Sequence, residues 1–402
     1  MLKSDPIGDF IALRDYCEQQ GFKGWDPYDG LNSRVFQAIP FASRSALLRL
    51  VVIQGFKRSP VNLRPLAMVP KEYNPKGVAL CLHAYANIAR LLMAKPQLQL
   101  QLGDIQLALN RCEQLAELLV TLQSRGDYHG ACWGYNFDWQ ARRLFLFPKF
   151  TPTVVATTFA ATALMNAAEV TGRCEYRDLA MTSAEFVIND LHRTPHADGF
   201  LFSYSPLQGN DTVFNASLLG SKLLSLCYHY TGNEQYKAAA LESVRACCAG
   251  QRDDGAWVYG MLPVQSWVDS FHTGYNLDAL QAYEDNSGDT QFHQFIEKGL
   301  DYYLNHFFEA DGCPKYYDNK TYPIDIHCPA QLFVTLSALR RFDDHRPLAH
   351  KVLAWTEQNM KSPKGYYYYQ LKKGLNSRIS YMRWSNAFML YALSHFLNCE
   401  LE

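Results

Sequence analysis

Two histidines stand at matching places in the chain, His272 and His327, which are 327 − 272 = 55 residues apart. Each follows an aspartate: Asp269 three positions before His272, and Asp325 two positions before His327. A neutral imidazole in a pocket takes up or delivers a proton near pH 7. A carboxylate on its other nitrogen fixes the tautomer and raises its basicity. An Asp at i−3 reaches the ring if the turn is helical, whereas one at i−2 needs an irregular turn. Both aspartates also suit a helix N-cap, where a carboxylate accepts orphan backbone N–H groups, and both readings stand. A histidine satisfied inside the core is the competing reading for each imidazole.

Other polar and aromatic residues keep the same register. Asp269-Ser270-Phe271-His272-Thr273-Gly274-Tyr275-Asn276 leads one apolar helical segment, and Tyr322-Pro323-Ile324-Asp325-Ile326-His327 leads the next. Tyr381-Met382-Arg383-Trp384-Ser385-Asn386 leads the last, and Asn215 holds the equivalent place earlier. Trp133, Trp139, Trp257, Trp267 and Trp384 fall in the segments that connect helices or at helix starts, and Trp25 lies in an N-terminal loop. Aromatic planes beside polar groups bind the apolar faces of sugar rings, and the same planes also suit loops closed over a core. The expectation is a carbohydrate site lined by Trp133, Tyr135, Trp139, Trp257 and Tyr317.

Several chemistries lack their motifs. There is no G-x-G-x-x-G after a strand, no G-x-x-x-x-G-K-[ST] and no G-x-S-x-G. No H-E-x-x-H or His/Cys cluster points to zinc, so no metal or cofactor is expected. With Lys plus Arg at 38 and Asp plus Glu at 39, the chain is not a generally basic nucleic-acid binder.

An internal repeat positions these residues. Thr171-Gly172-Arg173-Cys174-Glu175-Tyr176, Thr231-Gly232-Asn233-Glu234-Gln235-Tyr236 and Ser287-Gly288-Asp289-Thr290-Gln291-Phe292 start 231 − 171 = 60 and 287 − 231 = 56 residues apart. Each sits between two segments of helical periodicity, with the Gly as a helix C-cap. Gly199, Gly255, Gly312 and Gly365 mark the longer connections, each followed by an aromatic-rich stretch, and a fifth copy begins at Gly130. Helical hairpins of this period stack into a solenoid or close into a ring. Five clear copies from about residue 110, plus an inner helix over Pro75 to Met93, predict an all-α toroid of about six hairpins with a few short strands. The inner helices are expected to begin near Thr153, Asn215, His272, His327 and Trp384. No low-complexity linker divides the chain, so residues 1–402 read as one domain, with 1–74 as a lead-in.

Met1 to Phe22 carries charges throughout and has no signal-peptide apolar core. The longest uncharged stretch, Phe150 to Ala168, contains Pro152 and several threonines and reads as a buried helix rather than a membrane span. Eleven scattered cysteines without a C-x-x-C predict reduced thiols and a cytoplasmic location.

Trp133-Gly134-Tyr135-Asn136-Phe137-Asp138-Trp139-Gln140, Asp269-Ser270-Phe271-His272-Thr273-Gly274, Lys315-Tyr316-Tyr317 and Asp325-Ile326-His327 resemble the VpsJ-like bacterial polysaccharide-biosynthesis family. So do Gly24-Trp25-Asp26-Pro27-Tyr28-Asp29-Gly30 and Asn62-Leu63-Arg64-Pro65. The resemblance implies a six-hairpin glycosidase-like toroid in surface-glycan production, an oligosaccharide, polysaccharide or sugar substrate, and other polysaccharide-assembly proteins as partners. Trp25, Asp26, Arg64, Trp133, Tyr135, Asn136, Asp138, Trp139, Asn215, Trp257, Asn276, Lys315, Tyr316 and Trp384 are the expected substrate contacts.

Three activities compete. An epimerase or lyase acting on a sugar or uronate would use His272 or Tyr275 as base, with His327 or Tyr317 returning a proton. Asn136, Asn276 or Arg383 would then stabilise the enolate. A glycoside hydrolase would use two carboxylates among Asp138, Asp269 and Asp325. A non-catalytic glycan-binding component would show a ring plugged by side chains. Fold alone does not choose among them.

Overall fold

The computed structural model describes residues 5–140 and 146–401. Six helices form an inner ring: Pro75–Ala94, Val154–Thr171, Phe214–Thr231, Ser270–Ser287, His327–Ala338 and Phe388–Leu401, the last entered through a π-helical turn at Met382–Ala387. Each packs on the next, and Phe388–Leu401 returns to Pro75–Ala94, so the ring is closed. The observed starts fall within two residues of the expected Thr153, Asn215, His272 and His327, and Trp384 lies in the π-helical turn that enters the last. Inner helices are buried on nearly every side, and small residues make the close approach possible; Val154–Thr171 buries six alanines.

The outer helices bury one face only. They comprise Ile105–Thr121, a segment starting at Cys174–Met181, then Glu234–Ala249, His293–His306 and Arg346–Met360. The sixth is Pro6–Gln19, which packs against Phe388–Leu401 and so completes the hairpin that the C-terminal helix begins. Gly172, Gly232 and Gly288 end three inner helices in the left-handed conformation expected of them, with φ of 75°, 67° and 71°.

The glycines of the long connections have a different task. A Cβ at Gly130, Gly199, Gly255, Gly312 or Gly365 would come 2.0 to 2.7 Å from a backbone carbonyl of Thr182, Glu242, Lys298, Lys351 or Ala12 respectively. Every one of those carbonyls belongs to the outer wall of the following hairpin. The repeated glycine is therefore the point where one hairpin presses on the next, and Gly365 against Ala12 closes the circle.

Among the described residues, short strands occur only in the long connections, as three antiparallel pairs. Ile324–Asp325 with Gln370–Leu371 ties the fifth connection to the sixth. Residues between the outer helix Pro6–Gln19 and the inner helix Pro75–Ala94 fold over this same end of the ring as a lid, including the helix Ala46–Arg58. Pro75–Ala94 and Val154–Thr171 are long and apolar enough to cross a membrane, but both are inner-ring helices and mostly buried.

Candidate active site at the mouth of the ring

The mouth is built by one repeated hydrogen bond. The backbone N–H at or just before the start of an inner helix donates to the carbonyl of an aromatic residue in the next connection. The pairs are Val154 to Tyr204 at 2.9 Å, Phe214 to Tyr259 at 3.3 Å, Ser270 to Tyr316 at 3.0 Å, Ile326 to Tyr369 at 3.2 Å and Met382 to Trp25 at 3.1 Å. These groups are helix-start donors without an intrahelical acceptor, so the next hairpin's connection supplies one. The result is a rim of aromatic side chains, joined by Tyr135, whose hydroxyl lies 3.2 Å from that of Tyr204. Burial pushes the hydroxyls of Tyr135, Tyr204, Tyr259, Tyr316 and Tyr369 above the ordinary tyrosine value, which keeps them neutral.

This rim corrects the expected aromatic platform. Trp133 and Trp257 lie two residues before rim tyrosines and are fully buried. Their indole N–H groups donate to Leu119 O at 2.8 Å and Cys247 O at 2.9 Å. They cap the preceding outer helices and are not sugar platforms. Trp139 is stacked on Phe147 at 4.3 Å, and Tyr135 lies beneath Arg383. The five expected aromatics therefore share no cleft. Tyr316, Tyr317 and Trp384 do: with Asp325, Tyr369, Gln370 and the lid's Lys57 they line a cavity of about 290 Å³.

Beside that cavity stands His272. Its Nδ1–H donates to Asp269 Oδ2 at 2.8 Å, the i−3 contact expected of a helical turn. Trp267 donates to the same oxygen at 3.0 Å, while Asp269 Oδ1 caps the helix by accepting from His272 N at 3.1 Å. Both readings of Asp269 thus hold together: it is the N-cap and it holds the imidazole. The His272 side chain keeps 20% of its surface exposed, and no described residue hydrogen-bonds its Nε2. It does not itself line the cavity; its neighbour Phe271 packs on it at 4.1 Å and on two lining rings, Trp384 at 5.9 Å and Tyr316 at 5.5 Å.

His327 differs. It is buried, stacked on Phe388 at 3.9 Å, and does not reach the cavity. Asp325 does not hold its ring: Oδ1 accepts from the His327 backbone N at 3.0 Å and from Trp384 Nε1 at 2.8 Å, and Oδ2 accepts from Gln370 at 3.0 Å. His327 Nδ1 has no hydrogen-bond partner among the described residues. Burial, reinforced by the nearby positive charges of Lys76 and Arg383, pushes the His327 pKa well below the usual value and leaves the ring neutral. Burial also raises the Asp325 carboxyl to about 6.

Tyr275 links this buried group to a residue not anticipated from sequence. Its hydroxyl lies 3.4 Å from His327 Nε2, and Lys76 Nζ donates to it at 3.1 Å. Lys76 sits in the second position of the inner helix Pro75–Ala94, boxed by the rings of Phe159 at 4.1 Å, Tyr275 at 5.1 Å and Phe388 at 5.7 Å. Desolvation, with repulsion from Arg383, pushes its pKa well down. The signal for Lys76 was present: it is the one charged residue before Arg90 in an otherwise apolar helix. Together these side chains fill the centre of the ring.

The remaining expected contacts fall into two groups. Arg383 is buried against Asp26 at 2.6 Å, and Arg64 bonds Asp29 Oδ1 at 2.6 Å, Asp26 O at 2.6 Å and the Tyr381 hydroxyl at 2.8 Å. Asn136 accepts from Asn74 at 2.7 Å and donates to Glu72 at 3.3 Å, and Trp25 Nε1 donates to Val69 O at 2.9 Å. Arg383 on Asp26, Arg64 on Tyr381, and Asn136 with Asn74 and Glu72 rivet the lid to the ring, while Arg64 on Asp29 and Trp25 on Val69 brace the lid from within, around a hollow with room for about one water molecule. Asp138 accepts from Lys149 N at 2.6 Å and Lys315 donates to Asp318 O at 2.9 Å, both away from His272. Asn215 and Asn276 are buried near inner-helix starts with unpartnered Oδ1 atoms. Among the described residues no group of three His, Cys, Asp or Glu is placed to hold a metal.

Comparison with known proteins shows the fold. No family model matches the chain, and no curated protein matches it. Among solved structures it is similar to a GH76 alpha-mannanase from Bacteroides thetaiotaomicron, with TM-score 0.59 and 12% identity over 81% of this chain and 86% of that one. It is similar to a sugar epimerase from a ruminal bacterium, with TM-score 0.59 and 14% identity over 83% and 90%. An unsaturated glucuronyl hydrolase specific for heparin matches with TM-score 0.59 and 13% identity over 90% and 97%. At these identities the likeness shows a shared fold, the α/α toroid.

Proposed function

We propose that this protein is a carbohydrate-active enzyme of bacterial surface-polysaccharide production, akin to the VpsJ-like family, that moves a carbon-bound proton of a sugar or uronate. The observation that carries the reading is the Asp269–His272 pair at the mouth. Its carboxylate is occupied in orienting an imidazole whose other nitrogen is open. Hydrolysis of a glycosidic bond needs two carboxyl groups facing each other across the substrate. Asp269, Asp325 and Asp138 each accept protein N–H groups instead, which favours proton transfer over hydrolysis.

In this reading His272 Nε2 takes the proton from the carbon next to a carbonyl or carboxylate. The C–H electron pair moves onto that oxygen as an enolate, and the buried Arg383 guanidinium, with the Lys76 N–H donor behind Tyr275, favours the developing charge. Proton return to the opposite face gives an epimer; loss of a leaving alkoxide from the neighbouring carbon gives an unsaturated product. The substrate is an oligosaccharide, polysaccharide or sugar in the cytoplasm, shared with other polysaccharide-assembly proteins.

The filled ring centre favours a second reading, a non-catalytic glycan-binding component. A panel of neutral and uronate-containing oligosaccharides, incubated with wild type and His272→Gln, separates the two. Conversion by wild type and its loss in the variant, with unchanged helical circular dichroism, supports the enzyme. Equal glycan binding by both proteins with no conversion supports the binding component.

A further inference from the structure

The lid has an outer surface unlike the rest of the molecule. From Gly30 to Lys71 the chain holds seven Lys and Arg and no Asp or Glu, although the whole chain has a net charge of −1. This tenth of the chain also carries ten of the twenty exposed large hydrophobic residues found among those described, including Phe41 at 73%, Leu47 at 70% and Leu66 at 81% exposure. The helix Ala46–Arg58 is oriented against the usual rule. Leu47, Leu48 and Val51 form an outward stripe that runs between exposed Arg44 and Arg58, while Ile53 faces inward. Phe41 stands at the turn before it, with Arg44 over its ring at 5.5 Å.

We propose that this face docks the protein on an anionic lipid bilayer. An apolar stripe flanked by arginines suits the boundary between acyl chains and negative headgroups: the leucines and Phe41 enter, and the guanidinium groups stay at the phosphates. A second copy of the chain is disfavoured, because a self-complementary contact would set two acid-free, basic faces against each other. The flank of the same helix supplies Gln54, Lys57 and Arg58 to the 290 Å³ cavity. A bilayer seated on the stripe therefore lies beside the cavity wall. The inference does not depend on which reaction the site performs.

Co-sedimentation of the full chain with vesicles tests it. Wild type should pellet with phosphatidylcholine vesicles containing about 30% phosphatidylglycerol, and far less with pure phosphatidylcholine or in about 0.5 M salt. The double charge reversal Arg34→Glu with Arg44→Glu leaves every exposed apolar residue in place and removes only the Arg44 contact over the Phe41 ring. Because each basic residue near such a surface is worth about fivefold, it should weaken binding by at least about tenfold. Phe41→Ser with Leu47→Ser and Leu66→Ser should abolish pelleting even at low salt, with unchanged circular dichroism. Absence of pelleting by wild type at about 1 mM anionic lipid overturns the proposal. So does equal binding by both variants. A wild-type dimer that the triple variant converts to monomer would also overturn it, since the face would then be an interface between copies.

Discussion

The inner helices are enclosed by apolar neighbours on almost every side, whereas the lid from Gly30 to Lys71 has only Leu31, Phe36, Ala42 and Ile53 as a small core of its own. Buried polar contacts tie it to the ring, Arg383 on Asp26 and Arg64 on Tyr381, and Arg64 on Asp29 braces it from within. The ring is thus a self-sufficient packing unit, and the lid is a layer riveted to it by charged groups that were taken out of water. The difference teaches where function concentrates. Charges buried at the seam, and apolar groups left exposed on the lid, both cost stability in a free monomer. Neither is needed to close a ring of hairpins.

The largest expected effect is on turnover. Replacing His272 by Gln should cut glycan conversion by about 10²- to 10⁴-fold while leaving the melting temperature largely unchanged, because the ring is partly exposed and its loss strands no buried partner. An assay with loss of activity but also loss of fold would return His272 to a core role. At the seam, Asp26→Ala leaves the Arg383 guanidinium buried without its carboxylate. Chemical denaturation should then show a loss of about 3 to 5 kcal/mol, larger than for any lid-surface substitution.

The far end of the inner ring supplies a pH test. Burial pushes His83 and His395 down to about 3. The unfolded chain binds their protons from about pH 6.5 downward and the folded chain does not, so stability is lost as pH falls from 6.5 toward 3. At pH 5 each histidine should account for about 2 kcal/mol of that loss. His395→Gln should lower the pH dependence of urea unfolding by this amount, and an unchanged acid limb would show that His395 is charged in the fold.

Lys76 sharpens the contrast in the opposite direction. It is buried with a tyrosine hydroxyl but without a carboxylate partner. Lys76→Met should raise the melting temperature and lower conversion by at least about tenfold, a loss of about 1.4 kcal/mol in transition-state stabilisation. A variant that is less stable and fully active would make Lys76 structural. The smallest effect belongs to the lid's outer face, where Phe41→Ser, Leu47→Ser and Leu66→Ser together should change unfolding free energy by no more than about 0.5 kcal/mol per site.

How much of this was legible follows from the same contrast. A period near 56 residues, glycines that cap helices and aspartates at N-caps are local signals, so the inner helices and their starts could be read from the chain alone. The Asp269–His272 contact was legible too, because i−3 spacing has one geometry on a helix. Asp325 and His327 were not: the irregular turn turned the carboxylate toward Trp384, and packing against Phe388 drew the imidazole inward. Trp133 and Tyr135 are two residues apart and both aromatic. Only the packing of neighbouring hairpins decides which one reaches the mouth. Pro6–Gln19 as the sixth outer helix was hidden for the same reason, since its partner Phe388–Leu401 lies at the other end of the chain. The lid belongs to no repeat, and residues 1–74, which contain it, read as a mere lead-in.

The central claim is that the mouth performs proton transfer at carbon. Incubation in D₂O with the uronate and neutral oligosaccharide panel, read by mass spectrometry and NMR, tests it most directly. The account predicts deuterium at the carbon beside the carbonyl or carboxylate of the converted sugar, dependent on His272. New reducing ends without carbon-bound deuterium would contradict it and make the protein a hydrolase.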